Sequence, residues 1–130
     1  MWRLTVALNK IQRISIIYRR EILWLKSFFL KDTYNPQKTV FEQKIYNCFL
    51  ENNHEDAAFY VNLNTVTSEV ISNTDESLVR VLKEVYVYEN MDIEEACQKI
   101  LFLNRLEAYN RLEKWFDRYF YQTYKYLLSI

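Results

Sequence analysis

Three acidic side chains in four residues, Asp92, Glu94 and Glu95, and a single histidine, His54, are the groups in this chain that most resemble parts of a hydrolytic site. Paired carboxylates serve as acid and base when their surroundings push their pKa values apart. Here they open a helical pattern, where acids are favoured by the positive end of the helix dipole. No nucleophile, base and orienting group assemble around one histidine. Cys48 and Cys97 lack a C-x-x-C spacing and flank no histidine cluster, so a four-ligand zinc site lacks ligands. The residues predict no catalytic, cofactor or metal site, no enzyme, and two free thiols in a reducing compartment. A different chemistry is offered by Arg105, Asn110, Arg111, Lys114, Arg118 and Lys125. Arginine, asparagine and lysine are the side chains that reach phosphates and base edges in a DNA groove. Glu107, Glu113 and Asp117 share the same stretch and oppose phosphate.

Positioning these cations requires a helix, and residues 75–128 read as three helices separated by two short breaks. Asp92-Ile93-Glu94-Glu95 carries a cap residue and a Glu three positions on, the pattern that satisfies two orphan backbone donors reciprocally. Asn104-Arg105-Leu106-Glu107 repeats that logic at the start of the last helix. A short helix, a tight turn and a longer amphipathic helix form the layout of DNA-binding helix-turn-helix units. In the last helix Leu106, Tyr109, Leu112, Phe116, Tyr119, Thr123 and Leu127 fall on one face, with Trp115 beside them.

The chain has no glycine and a single proline, Pro36. Hairpins lean on glycine-bearing turns, whereas helix caps can use Asn, Asp and Ser. A dinucleotide fingerprint or a phosphate-binding loop needs glycine and is excluded. The expected fold is all-α, with five or six helices in one domain spanning residues 1–130. Residues 1–31 read as a long basic amphipathic helix whose stripe is Leu4, Leu8, Ile11, Ile14, Tyr18, Ile22, Leu25 and Phe29, widened by Ile17, Trp24 and Phe28. Residues 32–40 form the clearest loop, because Asn35 before Pro36 is pushed out of helical geometry. The middle helices span 41–72: first a short one with Phe41, Ile45 and Phe49 or Cys48 inward, then the polar break 52–56. Residues 57–72 are β-branched enough to permit a strand. A lone strand has no partner elsewhere, so a helix is expected there too.

A formal net charge of zero hides three blocks. Residues 1–44 carry nine Lys/Arg against three Asp/Glu, residues 45–104 three against eleven, and residues 105–130 five against three. Such blocks suit ends that touch a polyanion around a middle that repels it, or blocks that pair within one fold. The 11 tyrosines, 8 phenylalanines and 3 tryptophans give an unusually aromatic core, rings inward and hydroxyls wet. Arg19, Arg20, Glu21 and Lys26 interrupt the best membrane-spanning candidate, and the opening MWRLTVALNK has no small-residue cleavage site. A cytoplasmic protein without membrane contact is expected. The broad stripe of residues 4–31 is wide enough to suggest a homodimer.

Taken together, Leu82-x-x-x-Tyr86, Ile93-Glu94-Glu95-Ala96-Cys97-Gln98-Lys99-Ile100 and Tyr109-x-x-Leu112-x-x-x-Phe116 resemble the helix-turn-helix half of small phage-encoded transcriptional regulators of the RinA/ArpU type. Asn9 to Ile14 and Arg20 to Ser27 are similar to the basic N-terminal helix that precedes a proline-containing loop in that family. The turn Leu101-Phe102-Leu103-Asn104 is more apolar than the family's usual turn. The resemblance implies a DNA-binding transcriptional regulator of a phage or mobile element, with double-stranded DNA as partner. The alternative is a small helical protein-interaction module, an inhibitor or adaptor that binds a host protein without touching DNA.

Overall fold

A computed structural model describes residues 12–128. Seven α-helical segments lie among them: α1 (Gln12–Ile17), α2 (Arg19–Phe29), α3 (Val40–Leu50), α4 (His54–Ser72), α5 (Glu76–Leu82), α6 (Ile93–Ala96) and α7 (Arg105–Leu128). The fold is all-α, and the only β-type pairing among the described residues is an isolated bridge between Lys31 and Thr39. The segments join into six continuous rods. Tyr18 only loosens the first, since its N–H still reaches the Ile14 carbonyl and its own carbonyl accepts from Ile22 N–H, both at 2.9 Å. In two other rods a π-turn, Lys83–Val87 after α5 and Cys97–Leu101 after α6, inserts one wider turn before the chain leaves.

Side-chain caps set the starts. Thr39 and Glu42 form a complete capping box on α3. Asn53 accepts from Asp56 N–H at 3.2 Å, so α4 begins at His54, inside what the sequence reads as a polar break. The β-branched residues of α4 are compatible with helix because Thr65 and Thr67 return their hydroxyls to carbonyls one turn back, at 2.9 and 2.8 Å.

Helix ends are where a glycine-free chain meets difficulty. Asn52, Glu89 and Phe102 take left-handed backbone at φ 57°, 56° and 56°, each closing a helix or π-turn. That conformation suits glycine and is tolerated by asparagine, but it crowds the Cβ of a bulky residue. Phe102 is the sharpest case, because its ring is 85% exposed and gains little from packing. Phe102→Gly is therefore expected to raise stability by up to about 1 kcal/mol, read as a higher urea midpoint.

The core sits between α7 and everything else. Ile14, Tyr18 and Leu25 from the first rod, Val66 and Val70 from α4, Leu78, Val81 and Leu82 from α5, and Ala96 and Cys97 all pack with Ala108, Leu112, Trp115, Phe116 and Tyr119. A buried hydrogen bond of 2.6 Å between Thr67 and the Tyr119 hydroxyl ties α4 to α7, and Trp115 Nε1–H donates to Thr74 Oγ1, in the turn after α4, at 2.9 Å. The assigned inner faces need two corrections. Leu106 is 62% exposed rather than structural, because the N-terminal turn of α7 projects beyond the helices that cover its remainder. Ala108 takes the buried place in that turn. Ile17 is exposed as well. In α3, of the two alternatives, Cys48 points inward and Phe49 outward.

The stripe that suggests a homodimer lies largely inside the protomer. Ile14 and Leu25 are buried in the chain's own core, and Ile22 and Phe29 pack against it. Leu4, Leu8 and Ile11 fall outside the described residues, as does the side chain of Leu127.

Burial raises the pKa of Tyr18, Tyr86, Tyr119 and Cys97, with the Asp117 carboxylate adding to the effect at Tyr18. A raised folded-state pKa stabilises fully below the unfolded value and is lost as pH rises towards the folded one. Thermal stability is expected to hold through neutrality, to begin falling above about pH 8.5, the ordinary thiol value, and to fall more steeply above about pH 10, the ordinary tyrosine value. The melting temperature and tyrosinate absorbance should then change together.

Candidate nucleic-acid interface

The last helix begins at a cap that the sequence reveals. Asn104 Oδ1 accepts from Glu107 N–H at 2.9 Å while its amide donates to the Glu107 carboxylate. At α6, Asp92 accepts from Glu95 N–H at 2.8 Å, but the Glu95 carboxylate turns to Lys99 at 3.3 Å instead of closing the box. The π-turn after α6, the left-handed Phe102 and the residues to Asn104 then carry the chain from the short rod into α7.

At about 100° per residue, Arg111, Lys114, Arg118 and Lys125 fall within roughly 60° of arc along one edge of α7. All four are exposed, and none forms an ion pair among the described residues. Asn110 lies beside them on the outermost face, exposed. Two of the three acids that oppose phosphate in the sequence occupy other ground. Glu113 accepts a 2.5 Å hydrogen bond from the Tyr109 hydroxyl, and Asp117 accepts one from Tyr18 of the first rod. Both carboxylates are thereby turned to the flank that faces α1 and α2. The hydrogen bond to Glu113 is the main cause of the raised Tyr109 pKa. Glu107, held by Asn104, is the one acid left on the basic edge of α7.

Arg105 does not join this edge. Its guanidinium pairs with Glu94 at 3.0 Å, tying the start of α7 to α6. Lys26 and Glu89, at 3.2 Å, make a second link between a basic and an acidic block. The first rod contributes its own cation on the flank away from the edge, where Arg20 lies 4.7 Å from the Trp24 ring centre and 5.8 Å from that of Phe120. The described part of the N-terminal block thus supports α7 from behind.

Sequence reasoning missed two features. One is an apolar patch where the chain enters α7: Phe102 and Leu106 are exposed and Leu103 half-exposed. The other is a groove of about 580 Å³ between the first rod and the segment that links α5 to α6, floored by Ile22, Leu23, Val85 and Ile93. The Lys26–Glu89 and Arg105–Glu94 pairs stand at its rim. Neither was marked by spacing, since both depend on which helix faces the fold leaves uncovered. Among the described residues, no cluster of His, Cys, Asp and Glu could hold a metal ion. No helix there is long and apolar enough to cross a membrane. No protein-family model, curated protein or solved structure matches the chain.

Proposed function

We infer that this chain is a double-stranded-DNA-binding module that enters the major groove with α7. The observation that carries this is the segregation of charge on that helix. Arg111, Lys114, Arg118 and Lys125 share one edge with a single acid, the Asn104-held Glu107, while Glu113 and Asp117 are hydrogen-bonded to tyrosines on the opposite flank. A surface adapted only to solvent has no need to separate its charges in this way, whereas a helix laid against phosphates does. The order of short rod, tight turn and long helix agrees with the docking of helix-turn-helix units, in which the N-terminal part of the second helix meets the bases. A role in phage or mobile-element transcription follows from the family resemblance.

Titrating salt against binding to the DNA upstream of the protein's own reading frame tests this. Each phosphate contact releases counterions, giving a log–log slope of about −0.9 per contact. If Lys114, Arg118 and Lys125 engage phosphate while Arg111 meets the bases, the slope should be roughly −3. An affinity indifferent to salt, or absent at low salt, would count against DNA as the partner.

A protein-interaction role has support of its own in the groove beside the first rod. Leu23 lies exposed on its floor, and a helix with an apolar face would cover it. In that case substitutions at Leu23 would remove partner capture, and Lys114 would be indifferent.

A further inference from the structure

The apolar patch at the start of α7 is not explained by phosphate binding. Leu106 occupies the outward face of the first turn at 62% exposure, and Phe102, three residues before the helix begins, is 85% exposed. Phe102 is held there in left-handed backbone, a conformation unfavourable for a bulky residue and one that glycine would adopt freely. Asn110, one turn after Leu106, shares that outward face, and no hydrogen bond among the described residues engages its amide. The patch therefore places an apolar group and a free amide one turn apart, bordered by the basic edge of Arg111 and Lys114.

Resting on the DNA reading above, we propose that the module recognises thymine by its C5-methyl group, with Leu106 as the reading residue and Asn110 as the partner of a neighbouring adenine. Duplex charge complements the basic edge, which brings the outward face of the helix against the base edges between the two phosphate backbones. In the major groove only thymine displays an apolar group, and adenine is the base that a carboxamide reads through N6 and N7. Cytosine has only a hydrogen where thymine carries the methyl, and a leucine against a G·C pair would bury the cytosine N4 amine or the guanine N7 and O6 without partners. The specified ligand is a duplex with A·T pairs at the steps facing the first turn of α7.

The test begins with a pool of random-sequence duplexes retained by the full chain at moderate salt and sequenced. Enrichment of A·T pairs at two neighbouring positions is expected, and Leu106→Ala should lose that enrichment while melting like the parent. The best duplex is then remade with uracil for thymine, which deletes only the methyl groups. The parent should lose about fourfold in affinity for each contacted methyl, the worth of one buried carbon, and Leu106→Ala should lose nothing further. A selected sequence without thymine at those steps, or a parent indifferent to uracil, overturns the methyl contact but leaves DNA binding standing. Retention of no duplex at any salt overturns both.

Discussion

Replacing Phe116 by alanine is expected to cost about 3–5 kcal/mol of folding stability, the range for emptying a fully buried aromatic site. Its ring is completely buried. It stacks on Tyr18 at 5.1 Å and meets the edges of Tyr86 and Trp115 at 5.3 and 5.0 Å. One side chain therefore joins the first rod, the π-turn after α5 and α7, and no neighbour can collapse into the space without moving a rod. A domain of this size has roughly 5–15 kcal/mol in total, so the variant should unfold at a markedly lower urea concentration. Leu106→Ala, on the exposed face of the same helix, should stay within about 0.5 kcal/mol of the parent. Equal urea midpoints for the two variants would show that α7 does not pack as described.

The helical architecture was legible because it depends on local rules. Absent glycine and apolar residues at helical spacing gave an all-α chain, and Asp92 and Asn104 marked the starts of α6 and α7 at the residues where the caps form. The β-branched segment 57–72 was resolved as helix by the lack of any strand partner, and the threonine hydroxyls that bond backward along α4 show how the helix accommodates it. The π-turns were not legible, because one extra residue in a turn leaves the apolar spacing almost unchanged. Nor were the left-handed ends at Glu89 and Phe102, where the usual glycine signal is missing.

What sequence could not give was which part of an amphipathic face remains outside. Leu106 continues the apolar spacing of α7, yet nothing in the fold reaches over its first turn. Likewise three acids of the last helix count against phosphate in the sequence, and only Glu107 remains on the basic edge once Tyr109 and Tyr18 turn the other two aside. The charge blocks likewise resolve only in three dimensions. Lys26–Glu89 and Arg105–Glu94 join opposite blocks within the fold, while the basic edge of α7 stays unpaired among the described residues.

Those pairings set the order of effects expected on DNA binding. Arg111→Ala should cost about 1–3 kcal/mol and relax sequence preference, as loss of a base-contacting arginine does. Arg111 stands in the second turn of α7, the part of a groove-entering helix that meets base edges. Lys125 lies on the same edge but about 21 Å further along the axis at 1.5 Å per residue. A major groove is only about 12 Å wide, so Lys125 leaves it and can meet only backbone. Lys125→Ala should accordingly weaken binding to every duplex alike and make the log–log salt slope shallower by about one. Lys114 and Arg118 fall between these limits. Arg105→Gln should change affinity less than Arg111→Ala, because the Arg105 guanidinium is already held by Glu94. An exposed pair of that kind is worth at most about 1 kcal/mol to folding, so the variant remains a fair comparison. Measuring all of them on one selected and one scrambled duplex separates the two kinds of contact. If Arg111→Ala and Lys125→Ala lower both affinities by the same factor, α7 lies across the backbone and does not enter the groove.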